Sequence, residues 1–128
     1  METCKRVIGG ANLTCPNQPW MIFVSDDPND YDGCCGAGEA GSWTERVVPE
    51  HVFGLRVSVA CYIHDCWWAK CERTFAEFKQ SNGVFKDNLM ELNRAFSGSW
   101  LERAARWPII YAWWLLVSGK QGLRHFIA

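Results

Sequence analysis

The chain has 128 residues, 48% of them hydrophobic, which is the size and composition of one domain with a modest core. Its 13 basic and 14 acidic residues leave a formal net charge of -1 and form no block of either sign, so the basic surface typical of nucleic-acid-binding proteins is missing. The longest apolar stretch, residues 107–117, is well short of the roughly 20 residues that span a bilayer, so no transmembrane segment is predicted.

The beginning of the chain carries no recognisable secretion signal, because its first 15 residues lack an apolar core. We therefore expect a cytoplasmic or phage-encoded protein, or a secreted one whose signal has been removed. The seven cysteines leave the redox compartment open. Since no two of them have C-x-x-C spacing, structural zinc is a poor explanation for them.

Residues 1–50 are predicted to be rich in loops. They hold all of the prolines but one and most of the glycines, which are typical of turns. One run, WMIFVS at residues 20–25, has the composition of a strand. We expect no other regular element in this half of the chain.

The second half of the chain has the pattern of three helices. Apolar residues recur at helical spacing from residue 51 onward, with interruptions near residues 71–74, at 97–99 and at Gly119. These interruptions predict helices over 51–72, 74–97 and 99–118. The sequence therefore predicts a single, mainly α domain over residues 1–128, in which an antiparallel two-helix hairpin core is joined by a third C-terminal helix and a loop-rich N-terminal half.

The join between the first two helices determines which of their residues face each other. Thr74 followed by Glu77 fits a capping box, which starts the second helix and puts the turn near residue 73. In antiparallel helices joined by a short loop, positions equidistant from the turn lie opposite each other. His64 and Asn82 are nine residues before and after residue 73, so we expect their side chains to meet.

Two interpretations of this polar contact stay open. A buried histidine and a buried asparagine can hydrogen-bond merely to satisfy each other. Asp65 favours a functional site, because it lies about 100° around the helix from His64 and needs a partner of its own. Upstream, YDGCCGAGEAGSW at residues 31–43 contains four glycines that let backbone carbonyls converge, and such carbonyls bind calcium together with carboxylates. Gly83, beside Asn82, predicts a close approach of another group at the contact.

Two of these motifs resemble those of the calcium-dependent phospholipase A2 superfamily. The helix signature of that family, a cysteine three residues before a His-Asp pair, is present as Cys61, His64 and Asp65. The calcium loop of the family, x-C-G-x-G, is matched by residues 34–38, which read CCGAG. The resemblance covers about residues 31–96 and includes both motifs in the order that the family has them.

The resemblance implies calcium-dependent hydrolysis of a phospholipid at its sn-2 ester, with a lipid interface as the partner. The implied ligands of Ca²⁺ are one carboxylate and three backbone carbonyl oxygens: Asp65, Cys34, Gly36 and Gly38. His64 would be the general base that activates water, and Asn82 would orient it. The amide N–H of Gly36 would donate a hydrogen bond to the developing oxyanion.

The same comparison implies a disulfide between Cys35 and Cys61 if the protein matures in an oxidising compartment. Two positions depart from the family, since Asn82 stands where it has an aspartate and Trp68 where it has a tyrosine. An asparagine can orient the histidine but supplies no negative charge. The alternative function is therefore a non-catalytic protein that binds lipid or is structural, and that keeps the His-Asn pair as a core hydrogen bond. The oligomeric state is left open.

The third helix is rich in tryptophan, at positions Trp100, Trp107, Trp113 and Trp114. We expect these side chains to lie in the core, and the alternative is contact with a lipid interface. Ser99 and Glu102 are predicted to cap the start of the helix, and Pro108 to kink or restart it.

Overall fold

The computed structural model describes residues 1–31, 51–52 and 54–127, and within these the protein is mainly helical. Its helices are α1 (Ser58–Lys70), α2 (Phe75–Phe96), α3 (Trp100–Ser118) and α4 (Lys120–Ile127). Its strands form two antiparallel pairs, β1 (Thr3–Ile8) with β2 (Ala11–Pro16) and β3 (His51–Val52) with β4 (Leu55–Arg56). A single turn of 3-10 helix at Pro28–Asp30 lies between the two pairs along the chain.

The first strand pair is a β-hairpin that the prediction of loops missed. Gly9 and Gly10 form its two-residue turn with φ of 59° and 93°, a conformation that glycine adopts at no steric cost. In β2 the alternate side chains of Ala11, Leu13 and Cys15 are buried, which gives the strand a core face. The Gly-Gly pair between two runs of six residues was the available sequence signal for this hairpin.

Cys4 and Cys15 lie opposite each other in the hairpin. Their sulfur atoms are 3.5 Å apart, and both are thiols in the structure. Burial, followed by the hydrogen bond and the charge of Cys4, raises the pKa of Cys15 to about 12. Because the thiolate is the reactive form of cysteine, the raised pKa disfavours reaction by the Cys15 sulfur.

The run at residues 20–25, predicted as a strand, has no strand structure. Part of its backbone is held by side-chain hydroxyl groups. Tyr62 donates to the carbonyl of Ile22, and Tyr31 donates to the carbonyl of Ser25 at 2.6 Å. The strand prediction was therefore wrong. The two hydroxyl groups hydrogen-bond to backbone carbonyls that would otherwise need a neighbouring strand as their partner.

The helices differ from the prediction mainly at their ends. The first helix begins at Ser58 rather than at residue 51, because β3 and β4 come first with Gly54, at a φ of 83°, between them. After α3 the chain is extended at Gly119, and α4 follows as a further helix that the sequence analysis did not predict. Helix α3 continues through Pro108 without a break.

Both predicted helix caps are confirmed. The side chain of Thr74 accepts a hydrogen bond from the amide of Glu77 at 3.2 Å, which fixes the start of α2. The side chain of Ser99 accepts one from the amide of Glu102 at 3.2 Å, which fixes the start of α3.

Helix α2 contacts α1, α3 and β2, and its apolar stripe supplies Phe85, Leu89 and Leu92 to the core. Its buried polar residues are as important for the packing. Asn88 binds the backbone of Thr14 in β2 twice, since its Oδ1 accepts from the N–H and its Nδ2 donates to the carbonyl, each at 2.8 Å.

Asn93, in the last turn of α2, joins this helix to α3 and to the connection that follows α2. Its Nδ2 donates to the carbonyl of Arg103 at 3.0 Å, and its Oδ1 accepts from the hydroxyl of Ser97 at 2.6 Å. Asparagines of α2 therefore attach both the hairpin and the start of α3 to the central helix.

We predict that Asn88→Ala lowers the free energy of unfolding by about 2 kcal/mol, because the backbone N–H and carbonyl of Thr14 both lose their partner. The measurement is chemical denaturation, with Asp87→Ala, an exposed neighbour in the same helix, as the control. Equal denaturation midpoints for the two variants would show that the contact does not hold the hairpin in place.

Candidate active site

The contact predicted between His64 and Asn82 is present in the structure. His64 lies in α1 and Asn82 in α2, each residue is 1% exposed, and Nε2 of the ring is 2.7 Å from Oδ1 of the amide. The capped start of α2 at Thr74 sets the length of the connection and so brings the two positions together. Two buried polar side chains from different helices thus satisfy each other.

Asn82 has a second partner, which the sequence analysis missed. Its Nδ2 donates to the backbone carbonyl of Val117 at 3.3 Å, in the last turn of α3, where carbonyls run out of partners within the helix. Because Nδ2 faces that carbonyl, Oδ1 faces the ring of His64 and accepts a hydrogen bond from Nε2–H. The neutral ring therefore carries its proton on Nε2 and a lone pair on Nδ1. A backbone carbonyl has no sequence signature, so no pattern pointed to Val117.

The Nδ1 atom of His64 distinguishes this pair from an ordinary core contact. Within the part of the chain that the structure describes, this buried atom has no hydrogen-bond partner. Oδ1 of Asp65 is 3.9 Å away, which is too far for a hydrogen bond, and the Asp65 side chain is 9% exposed. A buried lone pair beside a carboxylate can take a proton from a molecule bound between them.

Aromatic rings enclose the histidine. The ring centroids of Trp68 and Phe85 are 4.5 and 4.7 Å from that of His64. Trp68, which stands in place of the tyrosine of the resembled family, donates from Nε1 to Oγ of Ser81 at 2.9 Å. The indole therefore both covers the imidazole and joins α1 to α2.

Gly83 does not have the role that the sequence suggested. A Cβ atom at this position would have no described group from outside its own helix turn within 4 Å, so none of the described elements approaches closely here. The close approach is at Gly122 in α4, where a Cβ would lie 2.6 Å from the carbonyl carbon of Val117. The glycine that matters for the site is thus in the helix that the sequence analysis did not predict.

Part of the predicted site lies outside the described residues: Cys34, Gly36 and Gly38 of the calcium loop, and Cys35, the disulfide partner implied for Cys61. Of the implied metal ligands the structure describes Asp65. Over residues 1–31, 51–52 and 54–127, no group of three or more His, Cys, Asp or Glu side chains comes together. The calcium site, the oxyanion donor and the disulfide stay predictions.

Helix α3 presents an exposed apolar surface, which we call the α3 face. It consists of Trp100, Leu101, Ala104, Pro108, Tyr111, Ala112 and Leu115. Trp100, Leu101 and Leu115 are 71, 62 and 63% exposed. The core assignment was therefore wrong for Trp100 and also for Trp107, which is 49% exposed, while Trp113 and Trp114 are half-buried.

Cations lie along one edge of the α3 face. Nζ of Lys86 is 4.5 Å from the ring centroid of Trp114 and 5.7 Å from that of Tyr111. Arg103, one turn before Trp107, is exposed on the same side of the helix. Among the helices described, none combines the length and the apolar character needed to cross a membrane.

Comparisons of the chain with models of protein families, with curated proteins and with solved structures found no match. The resemblance to the phospholipase A2 superfamily thus depends on the motifs at residues 34–38 and 61–65 and on the position of Asn82.

Proposed function

We propose that the protein hydrolyses the sn-2 ester of a phospholipid with the help of calcium, and that His64 activates the attacking water. The observation that carries this proposal is the state of the imidazole. Nε2 of His64 is 2.7 Å from Oδ1 of Asn82. Nδ1 is buried beside the Asp65 carboxylate without a hydrogen-bond partner in the described structure. A general base needs this combination of a fixed tautomer and an available lone pair.

The chemistry follows from the two ring nitrogens. Nδ1 accepts a proton from the water as its oxygen attacks the ester carbonyl, and the same proton then passes to the alkoxide that leaves. Nε2 keeps its proton throughout and donates a hydrogen bond to Oδ1 of Asn82, so the ring does not rotate between the two steps. The aromatic rings of Trp68 and Phe85 exclude bulk water from the imidazole.

The ligand set that we propose for calcium is the carboxylate of Asp65 with the carbonyls of Cys34, Gly36 and Gly38. Asp65 offers the hard oxygen donor that calcium prefers, from a side chain next to the proposed base. Bound there, the ion would polarise the ester carbonyl and stabilise the oxyanion. The amide of Gly36 is the proposed second donor to that oxyanion.

We further infer that α1 and α2 form the antiparallel two-helix hairpin core on which this site depends. The hydrogen bonds that support this join residues 10, 13 and 18 apart across the turn: Trp67 to Glu77 at 2.7 Å, Trp68 to Ser81 at 2.9 Å and His64 to Asn82 at 2.7 Å. Such a ladder is expected when two helices run back along each other.

The alternative is a phospholipase-like protein without turnover, in which the His-Asn pair is a core hydrogen bond. Asn82 favours this function, since an amide gives the protonated ring no negative charge. The lone pair on Nδ1 favours catalysis, because a purely structural histidine in a core normally has both nitrogens satisfied.

The proposed partner is a lipid surface, which the α3 face would contact. From residue 107 to the end of α3 there is no charged residue, and tryptophan and tyrosine suit the boundary between water and lipid. Lys86 and Arg103 complement anionic headgroups. Glu102 of α3 is engaged elsewhere, because it accepts from the amide of Gly98 at 2.8 Å.

We predict that His64→Ala lowers fatty-acid release from mixed phospholipid vesicles by about 10² to 10⁴-fold, the usual contribution of a general base. His125→Ala, which changes an exposed histidine of α4, should keep the wild-type rate. Circular dichroism of each variant establishes that it is folded. Equal rates for the wild type and a folded His64→Ala protein would eliminate the enzymatic function and leave the alternative.

We predict that the wild-type chain binds Ca²⁺ and that Asp65→Ala weakens this binding about tenfold or more, because carboxylate ligands dominate affinity at such sites. Isothermal titration calorimetry measures it without reference to turnover. The matched control is Asp87→Ala, which removes an exposed carboxylate from α2. Unchanged affinity in Asp65→Ala would place the metal, if bound, elsewhere.

We predict that Leu115→Glu lowers binding to anionic vesicles about tenfold or more, since a leucine that enters lipid contributes roughly 1.5–3 kcal/mol. Val24→Glu, a change at a 70% exposed position outside the α3 face, is the control. Binding of the wild type should weaken with added salt. If Leu115→Glu instead dissociates an oligomer and vesicle binding stays the same, the α3 face joins copies of the chain.

A further inference from the structure

Helix α4 packs against the end of α3 so closely that position 122 has room for glycine alone. A Cβ at Gly122 would lie 2.6 Å from the carbonyl carbon of Val117 and closer still to its oxygen. Real Cβ atoms do not approach backbone atoms this closely, so a larger residue would displace the carbonyl. The backbone of Gly122 is helical, and the requirement for glycine is therefore one of space rather than of conformation.

The group that a larger residue would displace is the Val117 carbonyl, which accepts a hydrogen bond from Asn82. The oxygen of Val117 accepts from Nδ2 of Asn82 at 3.3 Å, and Oδ1 of the same amide is 2.7 Å from Nε2 of His64. An amide can turn over and exchange its oxygen for its nitrogen when nothing distinguishes the two ends. The Val117 carbonyl distinguishes them, because it accepts a hydrogen bond and cannot donate one.

We propose that the Val117 carbonyl, kept in place by Gly122, is the positioning group of the candidate site. The carbonyl fixes the orientation of the Asn82 amide, and the amide fixes the tautomer of His64. In that tautomer the lone pair is on Nδ1. The end of α3 and the start of α4 thus belong to the site through a backbone carbonyl and a glycine. The catalytic meaning of this arrangement rests on the proposed function, whereas the tautomer itself does not.

The same geometry gives a reason for asparagine at position 82. A carboxylate there could still accept from Nε2 of His64, but its second oxygen would face the Val117 oxygen at a distance near 3.3 Å with no proton between them. Two buried acceptors in contact repel each other and lose the hydrogen bond that the amide makes. Asn82→Asp restores the residue of the resembled family, and we nevertheless expect it to impair the site rather than improve it.

Helix α4 also supports the histidine from a second direction. The ring of Phe126 is buried and lies 5.3 Å from that of Trp68 and 5.4 Å from that of Phe78, centroid to centroid. Trp68 in turn covers the imidazole of His64 at 4.5 Å. A shift of α4 would therefore affect the imidazole of His64 in two ways, through its contact with Trp68 and through its hydrogen bond with Asn82.

The test is nuclear magnetic resonance of the full chain, labelled with ¹⁵N, at a pH where the ring of His64 is neutral. The wild type should show a single His64 tautomer with the proton on Nε2, and side-chain amide protons of Asn82 that are protected from exchange. Gly122→Ala should show a second tautomer and lose that protection. Gly83→Ala makes the same chemical change next to Asn82 without crowding a described residue, and it should match the wild type.

A folded Gly122→Ala protein that keeps one tautomer and a protected Asn82 amide would overturn the proposal. So would a wild type whose Asn82 amide exchanges freely, a result that stands even if Gly122→Ala does not fold. Where turnover is measurable, Asn82→Asp should lower kcat by roughly one to two orders of magnitude with KM unchanged. A rate at or above wild type would count against the proposal. If the protein shows no turnover, the proposed reaction is wrong. The magnetic resonance test of the His64 tautomer would still decide whether the Val117 carbonyl is the positioning group.

Discussion

The packing of this protein depends on buried amides that must have a partner at each end. An asparagine side chain placed in a core costs free energy unless its oxygen accepts and its nitrogen donates. Along α2, Asn82, Asn88 and Asn93 meet this requirement with groups from α1, α3, β2 and the connection after α2. Hydrophobic contact alone would let these elements slide along the central helix. The amides permit one arrangement, because each partner has to be at hydrogen-bond distance.

Pairing of His64 with Asn82 could be predicted because the capping box at Thr74 locates the turn and regular helix geometry does the rest. The first hairpin was missed although its Gly-Gly turn is visible in the sequence, because glycine and proline are equally typical of irregular loops. Two features could not be predicted. A helix that is apolar on every side, as α3 is beyond Trp107, has no polar face to indicate which side is outside. The role of the Val117 carbonyl leaves no trace in the identity of the residue.

Neutral groups orient His64, whereas the sequence motif to which this site was compared has an aspartate at the position of Asn82. An aspartate partner would orient the ring and compensate its positive charge with one carboxylate. Here Asn82 does the orienting and is itself oriented by a helix end, while the nearby carboxylate of Asp65 lies on the other side of the ring, 3.9 Å from Nδ1. Orientation and charge are thus divided between two residues. Such a division ties the chemistry of the histidine to the packing of α3 and α4, which are distant from it along the chain.

The α3 face also affects the protein in concentrated solution. A molecule with a formal net charge of -1 repels its own copies weakly, so charge does little to keep them apart. Exposed leucine and tryptophan side chains add a short-range attraction between copies. Among the described residues this helix thus favours self-association, and a detergent or short-chain amphiphile that covers it would extend the concentration range in which the chain stays dispersed.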